Sequence, residues 1–176
     1  SPNDSSVLVV NGNENKSIKP NSKTEKKLAH YIKEIFKELA ELLIEDAEGA
    51  TKKIRISVSK AKNLTQAKSV AFTIAESPLV KTAMFGSDAN WGRILSAVGR
   101  DRTIETIDDV QISVNGVPLV KKGSIDSKYS EAKATKAMKK REINVQVVLY
   151  SGKAEFEVLT SDLSEDYVLI NSDYRS

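Results

Sequence analysis

The chain has 176 residues, of which 40% are hydrophobic and 29% are charged, a composition that is ordinary for one globular domain. Its 27 basic residues nearly balance its 24 acidic ones, and the two basic clusters, 16–27 and 133–141, contain no aromatic residue, which argues against a nucleic-acid-binding face. The absence of cysteine excludes disulfides and thiol nucleophiles, and no apolar run approaches the roughly 18 residues that a membrane span needs.

The N-terminal part of the chain predicts a short strand followed by a long helix. Residues 6–10 are mostly apolar and β-branched, and a turn signal follows them. Ser22 and Glu25 have the spacing of a capping box, which marks the start of the helix. The helix itself is predicted by an apolar stripe at intervals of three and four residues, formed by Leu28, Ile32, Ile35, Phe36, Leu39, Leu42 and Leu43.

The middle of the chain predicts one strand and three helices. Apolar and polar residues alternate over 54–58, as in a half-buried strand, and small apolar residues recur at helical spacing over 65–76. Ser77 followed by proline is typical of a new helix N-terminus. A further helix is predicted over 91–98, with Gly99 at its C-terminal cap.

The last third of the chain is predicted to be rich in β-structure. Asn115-Gly116 lies between two apolar runs and is the strongest short hairpin signal in the sequence. The remaining predicted elements are a basic helix over 129–141, a second hairpin with strands at 143–150 and 154–159, and a closing strand at 167–170. Helices that come first and hairpins that come later indicate an α+β fold with a mixed or antiparallel sheet.

The residues alone do not reveal a self-contained active site. The single histidine, His30, lies on the long helix without a serine or cysteine partner and without zinc-ligand spacing. No pair of carboxylates stands out by position, and the glycines at 92 and 99 have neither P-loop nor dinucleotide-binding spacing.

Three short motifs carry more information than the rest of the chain. They are Glu-Gly-Ala-Thr-Lys at 48–52, Asp-Ala-Asn-Trp-Gly-Arg at 88–93 and Asn-Ser-Asp-Tyr-Arg-Ser at 171–176. With these motifs the chain resembles the ornithine acetyltransferases, also called bifunctional glutamate N-acetyltransferases. The resemblance implies an α/β sandwich with covering helices. It also implies that residues 1–176 form one domain segment, the C-terminal part of the β chain of these enzymes.

The resemblance assigns substrate contacts to Glu48, Asn171 and Ser176. From the residues alone, Glu48 could equally belong to an ordinary helix terminus. Residues 171–176 would be interpreted as a frayed polar tail. A carboxylate suits the ammonium groups of an amino-acid substrate, and an asparagine amide can both donate and accept hydrogen bonds. Residues 88–93 are interpreted mainly as packing near the site, where Lys81 and Arg93 could add positive potential.

The reaction that the resemblance implies is acetyl transfer from N2-acetylornithine to glutamate through an acetyl-threonine intermediate. The threonine nucleophile and the oxyanion hole are expected upstream of this chain, so no catalytic residue and no metal ligand is assigned here. No cofactor is expected, although acetyl-CoA is a possible co-substrate. The expected partners are the upstream α chain and the rest of the β chain, in an α2β2 or larger assembly in the cytoplasm.

Two alternatives from other classes of protein remain open. Because the chain begins at Ser1 without a methionine, we expect a processed or cut product, and Ser1 could be the nucleophile of an N-terminal-nucleophile amidohydrolase or aminopeptidase. The other alternative is a non-catalytic ligand-binding or interaction domain that retains the motifs for packing.

Overall fold

The computed structural model describes residues 17–173, and its contacts divide the chain into two compact units, Ser1–Leu43 and Ile44–Ser176. The predicted strand at 6–10 lies outside the described residues. That residues 1–176 form a single domain segment stays a prediction. Between residues 17 and 173, no helix combines the length and the apolar composition needed to cross a lipid bilayer.

Helix α1, Lys23–Glu45, confirms the long helix predicted from the capping box. The Ser22 hydroxyl accepts a hydrogen bond of 3.1 Å from the backbone N–H of Glu25. In return, the Glu25 carboxylate accepts one from the backbone N–H of Asn21, so the side chains at both ends of the box satisfy free N–H groups. The helix is strongly amphipathic, and none of its residues is buried.

The second unit is built on a six-stranded mixed sheet with the strand order β4-β3-β2-β5-β1-β6. Strands β1 and β5 are parallel, and every other pair is antiparallel. The predicted fold class, α+β with a mixed sheet and covering helices, is therefore confirmed. The strands are β1 (Lys53–Ala61), β2 (Gln111–Val114), β3 (Val117–Lys121), β4 (Ser124–Ile125), β5 (Glu142–Val148) and β6 (Ala154–Ser161).

One face of this sheet packs against helices to form the core. Residues of β1, β2 and β5 alternate between buried and more exposed positions, as expected for strands with one covered face. On the other face, Arg55 pairs with Glu157, and Ser113 donates a hydrogen bond to Gln146. The remaining helices are α2 (Leu64–Ala75), α3 (Pro78–Phe85), α4 (Trp91–Arg100), α5 (Glu131–Met138) and α6 (Glu165–Asp173).

The hairpin predicted at Asn115-Gly116 is confirmed by β2 and β3. Both turn residues have positive φ, 48° for Asn115 and 79° for Gly116. This combination matches the right-handed twist of the flanking strands and favours asparagine and glycine.

The second predicted hairpin is wrong, because β5 and β6 do not pair with each other. Both pair with β1, which lies between them. The connection crosses the end of β1, where the carbonyl oxygen of Lys60 accepts hydrogen bonds from the backbone N–H groups of Ser151 (2.8 Å) and Gly152 (2.9 Å). These bonds replace the turn that a hairpin would have formed.

The predicted closing strand at 167–170 is also wrong, since these residues lie within α6. The Ser164 hydroxyl accepts a hydrogen bond of 3.1 Å from the backbone N–H of Tyr167, as an N-cap does, and Glu165 and Asp166 follow in the first turn. Acidic residues are stabilising at the positive end of the helix dipole. The capping signal therefore outweighs the β-propensity of the apolar residues that follow.

Helix α4 continues through Gly99, which was predicted to be its C-terminal cap, and the cap is Asp101 instead. The buried Asp101 carboxylate accepts hydrogen bonds from the hydroxyls of Ser69 (2.6 Å) and Thr73 (2.9 Å) on α2. It also accepts two from Thr103, through the backbone N–H and the hydroxyl. Asp101 thereby joins α2 to the end of α4.

The Asp101 network predicts a pH-dependent contribution to stability. Burial raises the pKa of the Asp101 carboxyl, but the hydrogen bonds from Ser69, Thr103 and Thr73 outweigh it, so the pKa lies below its ordinary value of 3.8. A lowered folded-state pKa means that the stabilisation is complete above pH 3.8 and is lost as the pH falls through the folded-state value. We expect Asp101→Asn to reduce the free energy of unfolding by about 2 kcal/mol at pH 7.

Urea unfolding of the wild type and of Asp101→Asn, measured from pH 7 to pH 3, checks this expectation. The stability difference between the two proteins should narrow at the acid end of the series. A difference that stays constant over the whole range would contradict the assignment.

Candidate substrate site

The sheet brings the first of the three motifs next to the segment that begins α6. Strands β1 and β6 are antiparallel, and the first residue of β1, Lys53, is paired with the last residue of β6, Ser161. Residues 48–52, which immediately precede β1, therefore lie beside residues 162–167, which immediately follow β6. We call residues 48–52 the Glu48 segment.

Glu48 and Asn171, two of the three residues assigned to the substrate by resemblance, are in direct contact. The Asn171 Nδ2 donates a hydrogen bond of 3.2 Å to the Glu48 Oε2 and another of 2.9 Å to the carbonyl oxygen of Tyr167, one helical turn earlier. Both side chains are exposed, so a ligand can reach the carboxylate and the amide together. The third residue, Ser176, lies outside the described residues.

Gly49 allows α6 to approach the Glu48 segment closely. Its φ of +64° lies in the left-handed region, which favours glycine. A Cβ atom at this position would lie 2.5 Å from the backbone nitrogen of Tyr167 and 2.9 Å from its Cα. The Ser164 hydroxyl also donates a hydrogen bond to the Gly49 carbonyl oxygen. The start of α6 is thus placed directly against Gly49, and Asn171 follows one helical turn after Tyr167.

Lys52 is a buried cation that stabilises the ends of two helices. Its Nζ donates to the carbonyl oxygen of Met84 near the end of α3, to that of Met138 at the end of α5 (2.9 Å), and to the Ser87 hydroxyl (2.8 Å). A positive charge at helix C-termini is favourable because the helix dipole is negative there. Burial lowers the pKa of Lys52, while the charge of Asp162 acts in the opposite direction. The same two effects act on the pKa of Lys81.

Asp162 and Ser164 were not identified from the sequence. The buried Asp162 carboxylate accepts hydrogen bonds from the backbone N–H groups of Thr51 (2.9 Å) and Lys52 (3.0 Å) and from the Thr51 hydroxyl. Ser164 is detectable as a serine followed by two acidic residues, which is a helix-start signal. Asp162 carries no local signal, because its partners are 110 and 111 residues away in the chain.

The motif at 88–93 forms the start of α4. The Asn90 side chain caps this helix by accepting a hydrogen bond of 3.1 Å from the backbone N–H of Arg93, and it donates one of 3.0 Å to Asp88. The Arg93 guanidinium donates to the carbonyl oxygen of Leu79 (3.0 Å) and to the Thr82 hydroxyl on α3. Trp91 packs against the core. These contacts fix α4 against α3.

The described residues contain no cluster of three or more histidine, cysteine, aspartate or glutamate side chains arranged to hold a metal ion. His30 lies on α1, is exposed, and has its ring beside that of Tyr31.

The close approach at Gly49 yields a prediction with a matched control. Gly49→Ala should destabilise the protein by roughly 2–3 kcal/mol, because it adds a backbone clash with α6 to the strain of positive φ. Gly116→Ala has the same kind of strain, with a φ of +79°, but its Cβ would meet nothing within 4 Å. It should cost only about 1 kcal/mol. Urea unfolding measures both, and equal losses would contradict the packing role of Gly49.

Comparisons with known proteins support the family that the three motifs indicate. The profile of the ArgJ family matches residues 1–176. The arginine biosynthesis bifunctional protein ArgJ of Methylococcus capsulatus is 44% identical over 178 residues, which cover 100% of this chain and 44% of that protein. Its counterpart in Desulfotalea psychrophila is 43% identical over 177 residues, covering 100% of this chain and 45% of that protein.

A solved structure shares the fold as well. It is the crystal structure of arginine biosynthesis bifunctional protein ArgJ from Bacillus halodurans, which is 32% identical and superposes with a TM-score of 0.83. The match covers 91% of this chain and 75% of that one. The chain spans less than half the length of the curated relatives described above.

Proposed function

Because this chain belongs to the ArgJ family, we propose that it is part of an acetyltransferase of arginine biosynthesis that transfers acetyl from N2-acetylornithine to glutamate. The observation that carries the proposal is the contact between Glu48 and Asn171, which places a carboxylate and an amide side by side at the surface. The names of the relatives support the reaction class, since they are arginine biosynthesis bifunctional proteins.

In this proposal, Glu48 and Asn171 bind an ammonium group of the amino-acid substrate. An ammonium group has three N–H donors, and the Glu48 carboxylate and the Asn171 amide oxygen can each accept one of them. The amide nitrogen of Asn171 donates to the Glu48 carboxylate and so orients it for the ligand. Ser176 is proposed to supply a hydroxyl to the same ligand.

The covalent steps are proposed to take place on a threonine outside this chain. Its hydroxyl attacks the acetyl carbonyl of N2-acetylornithine, the amide C–N bond breaks, and ornithine leaves after gaining a proton. The amine of glutamate then attacks the acetyl ester, which releases N-acetylglutamate and restores the threonine hydroxyl. This chain contributes substrate binding and orientation to both steps.

The same proposal covers the partners and the location of the enzyme. We propose that the upstream α chain and the remainder of the β chain complete the active site in an α2β2 or larger assembly. The reaction needs no cofactor, and acetyl-CoA serves as an alternative acetyl donor in a bifunctional enzyme. A cytoplasmic location is consistent with a chain that contains no cysteine for disulfides.

An acetyl-transfer assay of the full-length enzyme containing this sequence tests the proposal. With N2-acetylornithine labelled in its acetyl group, we expect label to appear in N-acetylglutamate, with the parallel double-reciprocal plots of a ping-pong reaction. A Ser1→Ala variant should transfer acetyl at the wild-type rate. Amide hydrolysis that disappears in Ser1→Ala, without acetyl transfer, would favour the N-terminal-nucleophile alternative, and the absence of any turnover would favour a binding domain.

A further inference from the structure

Asp162 is a buried acid that contacts the Glu48 segment directly, at Thr51 and Lys52. The residue is only 3% exposed. One carboxylate oxygen accepts hydrogen bonds from two consecutive backbone N–H groups, those of Thr51 and Lys52. The other accepts one from the Thr51 hydroxyl. Three donors thus converge on one carboxylate, which fixes both its position and that of the backbone it binds.

These hydrogen bonds restrain the Glu48 segment at Thr51 and Lys52, and Ser164 restrains it at Gly49. Ser164, two residues after Asp162, donates a hydrogen bond to the Gly49 carbonyl oxygen and caps α6 by accepting one from Tyr167. The segment between Glu48 and Lys52 is therefore held at both ends by residues of one short stretch, 162–164. That stretch also sets the start of the helix that carries Asn171.

We propose that Asp162 is a positioning residue for substrate binding: its carboxylate fixes the backbone of Thr51 and Lys52 and thereby holds Glu48 beside Asn171. This inference rests on the proposed function, because it takes Glu48 as the group that binds the substrate ammonium. Asp162 acts through Glu48 and does not touch the substrate. An error of about 1 Å in the place of a binding group is enough to cost roughly a hundredfold in an enzyme reaction.

The experiment compares Asp162→Asn with Asp101→Asn in the full-length enzyme. Asp101 is a suitable control because it is also buried and accepts several hydrogen bonds from hydroxyls and a backbone N–H, but it joins α2 to the end of α4. Both variants are assayed at a temperature at which circular dichroism shows them folded. A purely structural loss lowers the fraction of active enzyme, so kcat falls while the KM is unchanged.

For Asp162→Asn, we expect the KM for N2-acetylornithine to rise about tenfold to a hundredfold. For Asp101→Asn, the KM should stay within about twofold of the wild type, as expected for a substitution away from the substrate. In a Glu48→Gln background, Asp162→Asn should raise the KM no further, because the two residues act as one unit. An unchanged KM in Asp162→Asn, or a full additional rise in the double variant, would overturn the proposal.

A second pair of variants keeps the test decisive if Asp162→Asn does not fold. Thr51→Val removes only the hydroxyl donor to Asp162, and Thr73→Val removes one hydroxyl donor to Asp101. We expect the KM to rise severalfold in Thr51→Val and to remain at the wild-type value in Thr73→Val. Equal KM values in these two variants would overturn the positioning role.

The Glu48→Gln variant separates this proposal from the proposed function. If Glu48→Gln leaves the KM at the wild-type value, Glu48 does not bind the substrate, and the positioning role fails together with the proposed site. If Glu48→Gln raises the KM but Asp162→Asn behaves like Asp101→Asn, the proposed site holds and only the role of Asp162 fails.

Discussion

Replacing Glu48 with alanine is expected to reduce kcat/KM for N2-acetylornithine by roughly ten- to a thousandfold, equivalent to about 1.4–4 kcal/mol. The reason is that the substrate ammonium would lose its carboxylate partner, while Asn171 would lose the acceptor that orients its amide. Steady-state kinetics of the full-length enzyme measure the effect. Because the Glu48 side chain is exposed, the substitution should leave the free energy of unfolding nearly unchanged.

Glu155→Ala is the matched control for charge. Glu155 is an exposed carboxylate on β6, so its removal changes the net charge by the same amount without touching the Glu48 segment. It should leave kcat/KM within about twofold of the wild type, as is usual for surface substitutions. Wild-type kinetics for Glu48→Ala would remove Glu48 from the substrate site.

Replacing Lys52 with methionine is expected to lower the free energy of unfolding by about 3 kcal/mol, because buried carbonyl groups lose charged donors. Lys52 as a whole is only 8% exposed, and the carbonyl oxygens of Met84 and Met138 would no longer accept hydrogen bonds from its ammonium group. Methionine retains most of the apolar part of the lysine side chain, so the loss of unfolding free energy measures the contribution of the ammonium group.

Thermal and urea unfolding check this expectation. A loss of that size should lower the Tm by roughly 6–12 °C for a protein of this length. Lys133→Met serves as the control, since Lys133 is an exposed lysine on α5 whose replacement should change stability by less than about 0.5 kcal/mol. If the two variants lose the same free energy of unfolding, Lys52 does not stabilise the ends of α3 and α5.

The elements that could be predicted from the sequence are those fixed by local chemistry. The start of α1 follows from Ser22 and Glu25, and the first hairpin follows from Asn115-Gly116, because capping and turn geometry depend only on neighbouring residues. The pairing of β5 and β6 with β1 could not be read locally. It depends on the pairing of β1 with both strands, which are more than 80 residues away from it in the chain.

The error at α6 has a different origin. Residues 167–170 have strand-like side chains, and the prediction rested on them without considering the helix-start signal of Ser164 and the acidic first turn. The close packing of Tyr167 on Gly49 then supports the helix. Tertiary contact overrides β-propensity here, as it commonly does in short apolar runs.

The candidate site was only partly predictable. Glu48 and Asn171 were assigned by resemblance, and the structure brings their side chains to 3.2 Å. Nothing in the sequence connects Asp162 to Thr51 and Lys52, since the contact arises from the antiparallel pairing of β1 with β6. Residues that hold binding residues in place are therefore harder to predict than the binding residues themselves, because their partners are distant in the chain.

The most direct test of the substrate site is a crystal structure of the full-length enzyme with ornithine bound. We expect an ammonium nitrogen of the ligand to lie about 2.8 Å from the Glu48 carboxylate, the usual length of a charge-assisted hydrogen bond, and within reach of the Asn171 amide oxygen. Ornithine bound elsewhere, with Glu48 and Asn171 still paired only with each other, would contradict the assignment of this site.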